Sequence, residues 1–383
     1  MSVTAAKGFA AVGLAAGIKP SGDPDLALVR NLGPDFAAAA VFTSNRIKAA
    51  PVVWSQQVIK DGSLQAVILN SGGANACTGP DGFADTHSTA ERLASELGVG
   101  AIDIAVCSTG VIGHRIPVDK ITSAVPALVA RATEDGGPLA ARAIMTTDTV
   151  AKQSVQTRNG WTIGAMAKGA GMLAPGLATM LVVITTDAVV NAADLDAALR
   201  AATHVTFDRV DSDGAMSTND TVLLLSSGAS GVEADPGEFT EALTTVCSDL
   251  ARQLVADAEG ATHDIAITIS GAASEEDAVV VGRSIARNSL FKCAMFGNDP
   301  YWGRVLAALG TTQATFDPDA IDVSFNGVLM SSKGFGVPDA EVDISANREI
   351  RVDVDLHAGD HAATIWTNDL TYDYVKENAE YLS

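Results

Sequence analysis

No two cysteines lie close enough to form a CxxC pair; the four present, Cys77, Cys107, Cys247 and Cys293, are scattered. That pattern excludes a zinc ribbon and a stapled secreted scaffold, and predicts buried free thiols in a reducing compartment. Aromatic residues are scarce at 5%, which with abundant glycine favours tight turns and close backbone contacts over aromatic interfaces. Basic residues are outnumbered, 25 against 46 acidic, and the net charge of −21 argues against nucleic acid or an anionic membrane as a partner. The start, "MSVTAAKGFAAVG", lacks the basic and apolar regions of a secretion signal, and no apolar run reaches spanning length. The expectation is a cytoplasmic protein.

What is abundant is glycine, 35 residues, within a chain 47% hydrophobic and 383 residues long. That length exceeds a single core and predicts more than one packed unit. Short apolar runs closed by small or polar residues read as strands: "QAVILNSG", "DIAVCSTG", "TIGAMAKG", "ATMLVVITTDA" and "HDIAITISG". Helical spacing separates them in "FADTHSTAERLASELG", which Gly98 stops, in "AADLDAALRAATHV", and in "PGEFTEALTTVCSDLARQLVADAEG" between Pro236 and Gly260. A last helix fits "DYVKENAEYL". From about Ile321 alternating strands take over in "IDVSFNGVLM", "EVDIS" and "REIRVDVDLHAGDHAATIWTNDL", with a hairpin turn at Ala358, Gly359 and Asp360. The prediction is a mixed α/β (α+β) body with helices covering strands apolar on both faces, and a smaller C-terminal α+β unit.

The stretch "AKGAGMLAPGLATMLVVITTDA" poses a chemical question, because a loop rich in glycine and proline meets an apolar strand at Thr179. A threonine hydroxyl needs a neighbouring base to act as a nucleophile. A free α-amino group, titrating near neutral pH, can be that base. Cutting the Ala178–Thr179 bond would therefore give one residue both functions, and Pro175 and Gly176 bend the chain just upstream of that bond. The same residues also fit a plain turn with a β-favouring threonine at a strand edge.

Residues elsewhere tip the balance. "KGAGMLAPGLATMLVVITTDA" resembles the self-cleavage segment of the ornithine acetyltransferase (ArgJ-type glutamate N-acetyltransferase) family. "AAAAVFTSNRIKAAPV", "LNSGGANACTG", "CSTGVIGHRIP", "AIMTTDTVAK", "DSDGAMSTNDTVLLL", "GNDPYWGRVLAALG" and "TNDLTYDYVKENAEYLS" resemble further motifs of that family, in its order and across nearly the whole chain. The resemblance implies a layered helix–sheet–sheet–helix fold with a self-processing threonine nucleophile. It implies an α chain of 1–178 and a β chain of 179–383, the latter including the smaller unit from about 270. The implied chemistry passes the acetyl group of N-acetylornithine to glutamate through an acetyl-Thr179 intermediate, with no metal and no cofactor; acetyl-CoA stays open as a second donor. The two fragments are expected to stay together as a dimer of heterodimers. A hydrolase of the same self-cleaving type is the alternative, with water taking the acyl group.

The resemblance assigns the oxyanion hole to Thr109 and Gly110, where glycine admits close backbone approach. It assigns substrate contacts to Thr146, Lys168, Thr179, Glu259, Asn378 and Ser383. Lys168, ahead of the glycine-rich loop, could hold a carboxylate or favour the neutral Thr179 amine. Glu259 falls at the expected C-terminal end of a helix, where the macrodipole disfavours a negative charge. A carboxylate so placed suits gripping an ammonium. Gly73, Ala215 and Tyr301 depart from the residues usual in the family. Two further signals point elsewhere: His357 and His361 flank the expected hairpin turn rather than sharing a helix face, and "SLFK" at Ser289–Lys292 lacks the companions of serine acyl-enzymes.

Overall fold

In the computed structural model, which describes residues 2–174 and 180–380, the short apolar runs form strands of three sheets. The chain divides into two units. One takes Met1–Ala170, Gly176–Asp208 and Met216–Leu254; the other takes Gly171–Pro175, Arg209–Ala215 and Val255–Ser383.

The first unit holds two sheets. Strands β1 (Phe9–Leu14), β2 (Leu26–Asn31), β4 (Ala66–Ser71) and β5 (Ile104–Thr109) lie in that order, with only β4 and β5 parallel. The other sheet runs β3 (Ala38–Phe42), β9 (Thr221–Ser226), β8 (Leu181–Thr186), β7 (Trp161–Lys168) and β6 (Lys152–Arg158), with β8 and β9 parallel. One core joins the sheets: Leu28, Ile68 and Val106 of the first meet Met166, Val183 and Leu223 of the second. Alternate residues of β8 face opposite ways, so Val182 and Ile184 need a second cover.

Helices supply that cover. On the four-stranded sheet sit α1 (Ala50–Val58), α2 (Gly79–Leu97), α3 (Val118–Arg131) and α4 (Gly137–Ala143). Trp54 and Ser55 of α1 donate to the carbonyls of Ile104 and Val106 in β5, at 3.0 and 2.8 Å. On the five-stranded sheet α5 (Ala192–His204) packs against β3, and Phe239 of α6 (Pro236–Ala256) lies 5.6 Å, ring to ring, from Trp161 of β7. The order of layers is helix, sheet, sheet, helix. Gly98 ends α2 in the left-handed conformation, as its position in the sequence suggested.

The second unit is one six-stranded sheet backed by helices. Its strands are β10 (Asp264–Ala272), β11 (Asp322–Phe325), β12 (Val328–Ser332), β13 (Phe335–Gly336), β14 (Glu349–Asp355) and β15 (His361–Asn368), arranged β13-β12-β11-β14-β10-β15. Its helices are α7 (Glu275–Ala286), α8 (Ser289–Phe296), α9 (Trp302–Leu309) and α10 (Tyr372–Ala379). Ile350, Val352 and Val354 turn inward from β14 onto the core that Val281 and Ile285 of α7 share.

Four local expectations change. β14 and β15 do not form a hairpin, because β10 lies between them, parallel to one and antiparallel to the other. Their connection instead crosses the end of β10, where the Ala358 amide donates to Gly271 at 2.6 Å. "EVDIS" forms no strand. α6 stops at Ala256 rather than Gly260, because Asn368 Nδ2 and Arg348 Nη2 take the carbonyls of Val255 and Ala256. All four cysteines are free, but only Cys107 and Cys247 are buried; Cys77 and Cys293 are exposed.

Candidate functional site

At the ends of β4 and β5 the backbone closes up. The Gly73 amide donates to the Thr109 carbonyl at 2.9 Å, and Gly110 takes φ +133°. A Cβ on Gly110 would stand 2.5 Å from the Gly73 nitrogen, so glycine is required there. Asn219 secures this corner from the side, its Nδ2 donating to the carbonyls of Ala74 at 2.6 Å and Ser108 at 2.8 Å. At Gly73, one of the positions departing from the family pattern, a Cβ would lie 3.2 Å from the Ile116 side chain.

Lys168, the last residue of β7, is buried and reaches into the same corner. Its Nζ donates to Thr146 Oγ1 at 2.7 Å and to Thr109 Oγ1 at 3.3 Å. Thr109, Thr146 and Lys168, distant in sequence, are thus brought together with Gly110 beside them.

Beneath them lies Asp148. It accepts from Lys152 Nζ at 2.7 Å, the Thr146 amide at 3.0 Å and the Gly169 amide at 2.6 Å, and stands 3.8 Å from Lys168 Nζ. Burial alone would raise its pKa; Lys168 and Lys152 outweigh burial and hold it at about 2. Lys19 approaches from the segment between β1 and β2, its Nζ donating to the Met145 carbonyl at 2.7 Å and to that of Pro24 at 3.0 Å.

Asp220 precedes β9 and is fully buried, with Oδ1 accepting the Met180 amide at 3.2 Å. Burial raises its pKa well above the usual carboxylate range, against the opposing pull of Ser217, the Met180 amide and Lys168. Met180 leads into β8, and Leu181 pairs across the sheet with Lys168. Thr179 and Ala178, the expected nucleophile and cleavage position, and Ser383 lie outside the described residues.

The second unit places the other two candidates together. Asn378 of α10 donates from Nδ2 to Glu259 Oε2 at 3.0 Å. Glu259 lies in the turn past α6, three residues beyond its last residue Ala256, rather than in the last turn of the helix. Gly171 is pressed against its carboxylate: a Cβ there would come within 2.5 Å of Oε2. A cavity of about 100 Å³ opens beside Glu259, lined also by Asp213, Arg287, Ser289, Lys292 and Tyr374. Asp213 accepts the Met172 amide at 2.7 Å, and burial raises its pKa. Lys292 is lowered to about 8 by burial, while its Nζ donates to the Ser212 carbonyl at 2.7 Å, to Thr367 at 3.1 Å and to the Asn368 carbonyl. The "SLFK" segment therefore starts α8, with its lysine held by these hydrogen bonds. His357 bonds Asp322 at 3.0 Å, and His361 lies across the sheet from Ala272.

Sequence reading missed Asp148, Lys152, Asp213 and Asp220. For the first two a signal existed, an Asp–Lys pair spaced i,i+4, although here it bridges a loop and the first residue of β6.

Comparison with known proteins adds an independent line. The model of the ArgJ family matches residues 10–383. The chain is 63% identical over 383 residues, 100% of both chains, to the arginine biosynthesis bifunctional protein ArgJ of Streptomyces coelicolor. It is 60% identical over 382 residues, again 100% of both chains, to the protein of the same description from Thermobifida fusca. Among solved structures, ornithine acetyltransferase of Mycobacterium tuberculosis, complexed with ornithine, is 58% identical, with 47% of this chain and 96% of that chain covered and a TM-score of 0.45. Among the described residues no helix is long and apolar enough to cross a membrane.

Proposed function

The chain belongs to the ArgJ family of arginine-biosynthesis acyltransferases, and on that premise we propose that it moves acetyl from N2-acetylornithine to glutamate through Thr179. The precursor first cuts itself. The Thr179 hydroxyl attacks the Ala178 carbonyl, the peptide shifts to an ester, and water hydrolyses the ester to leave an Ala178 carboxylate and a free Thr179 amine. That amine then takes the proton of its own hydroxyl as the oxygen attacks the acetyl carbonyl of the substrate.

The negative charge that develops on the carbonyl oxygen is stabilised at Thr109 and Gly110, where a preorganised backbone donor needs no reorientation. The amine of ornithine leaves carrying the proton back from the Thr179 ammonium. Glutamate enters, its amine attacks the acetyl ester, and N-acetylglutamate departs, so one difficult exchange becomes two easier ones. Lys168 and Thr146 receive substrate carboxylate, and Glu259, Asn378 and Ser383 receive the cationic end. No cofactor takes part; acetyl-CoA enters only as an alternative donor. The fragments Met1–Ala178 and Thr179–Ser383 stay assembled as a dimer of heterodimers, acting on small molecules in the cytoplasm without nucleic acid or membrane.

The family match across residues 10–383 carries this reading, and the ammonium of Lys168 set on the hydroxyls of Thr109 and Thr146 supports it. Denaturing electrophoresis should show the two fragments, and Thr179→Ala should leave one uncut, inactive chain. Supplied with N-acetylornithine, the enzyme should form N-acetylglutamate only when glutamate is present. Free acetate released at the same rate without glutamate would instead mark a hydrolase.

A further inference from the structure

We propose that Asp148 is a positioning residue for acyl transfer, a single buried carboxylate that sets both Thr146 and Lys168 against Thr109. The proposal rests on the reading above in one respect, that Thr146 and Lys168 meet the substrate.

The geometry is that of a clamp. Asp148 accepts from the Thr146 amide at 3.0 Å and from the Gly169 amide at 2.6 Å, so it fixes the backbone of one residue and of the neighbour of the other. Gly169 carries φ +154° directly after β7 ends, and the bond to Asp148 holds it there. A buried carboxylate with good partners is tolerated, whereas one stripped of them is strongly unfavourable. Lys152, fully buried, provides direct compensation at 2.7 Å. Lys168 stays at the longer distance of 3.8 Å, with its Nζ donating to the two threonine hydroxyls. Asp148 touches neither hydroxyl; it acts through the groups it holds.

The charges around the clamp define what its loss would do. Lys19, Lys152 and Lys168 converge on Asp148, with Asp23 and Asp25 beside Lys19 and the buried acid Asp220 beside Lys168. Removing the negative charge takes away the carboxylate that Lys152 meets at 2.7 Å and Lys168 at 3.8 Å. Loss of a neighbouring carboxylate disfavours the charged form of an ammonium beside it.

The test uses the full-length protein and follows acetyl transfer from N-acetylornithine to glutamate across pH, alongside thermal unfolding. Asp148→Asn should raise KM for N-acetylornithine about tenfold, the scale of one charge-assisted hydrogen bond. It should also move the alkaline limb of kcat/KM to lower pH. The double variant Asp148→Asn with Lys152→Met removes one charge of each sign, and should recover thermal stability while KM stays raised. A double variant with the KM and pH profile of the unaltered enzyme would overturn the proposal, since Asp148 would then serve only to bury Lys152. If Asp148→Asn does not fold, the double variant decides alone. Transfer persisting in Thr179→Ala would defeat the reading of the nucleophile and leave the Asp148 comparison intact, because that comparison scores only KM and pH.

Discussion

Lys168 and Thr146 are joined by a 2.7 Å hydrogen bond from ammonium to hydroxyl, across 22 residues of chain that include the whole β6–β7 hairpin. The hairpin makes the meeting possible: β6 carries the chain away from Asp148, and β7 brings it back to end at Lys168.

A bond between a buried charged donor and a half-buried hydroxyl implies energetic coupling. Lys168→Met and Thr146→Val, alone and combined, form a double-mutant cycle on kcat/KM for acetyl transfer. The coupling energy should be about 1.5–3 kcal/mol, the range for hydrogen bonds to charged groups. Strict additivity would show that the two side chains do not work as a unit.

Gly110 offers a sharper steric test. An alanine must adopt φ +133° and place its Cβ 2.5 Å from the Gly73 nitrogen, a clash with backbone that no rotamer relieves. The corner must shift, and with it any amide aimed at the developing oxyanion. Loss of one such donor lowers kcat by about 10²–10³. Gly110→Ala should show that loss in kcat more than in KM. An unchanged kcat would remove Gly110 from the oxyanion hole.

Asp220 predicts a pH dependence of stability. Its folded-state pKa is raised by burial, so the folded protein binds this proton more tightly than the unfolded chain. The stabilisation is complete below the unfolded value of 3.8 and is lost as pH rises toward the folded one. Asp220→Asn keeps the shape and an acceptor for Met180 without a charge to ionise. Denaturant titrations should find this variant more stable than the parent near pH 8, with the gap narrowing toward pH 4. A gap independent of pH would show that Asp220 is not the group that titrates.

These contrasts show what could be read from the chain. Gly98, β5 and the helix at Tyr372–Ala379 were legible because local pattern and punctuation specify them. The pairing of β14 and β15 was not, since two alternating segments joined by a short turn look alike whether they pair or flank a third strand. Glu259 was misplaced at a helix end because the groups that stop α6, Asn368 and Arg348, come from strand residues and loops far along the chain. Thr109, Thr146 and Lys168, which the motif resemblance singled out, do meet in the fold. The buried acids Asp148 and Asp220 escaped because composition cannot tell a solvated carboxylate from one enclosed in the fold.

The contact between Gly171 and Glu259 gives a test in the second unit. A Cβ at position 171 would fall 2.5–2.6 Å from the carboxylate atoms, and these belong to the far end of a flexible side chain. Gly171→Ala should therefore displace that carboxylate and loosen its 3.0 Å bond from Asn378, leaving the backbone in place. If Glu259 grips the cationic end of N-acetylornithine, the result is a raised KM with thermal stability nearly unchanged. Glu259→Gln should raise KM in the same direction, and adding Gly171→Ala to it should cost little more, because both changes act on one interaction. Should Gly171→Ala lower the melting temperature sharply and leave KM as it was, Glu259 would be a packing residue, and recognition of the cationic end would have to be sought elsewhere around Asp213 and Tyr374.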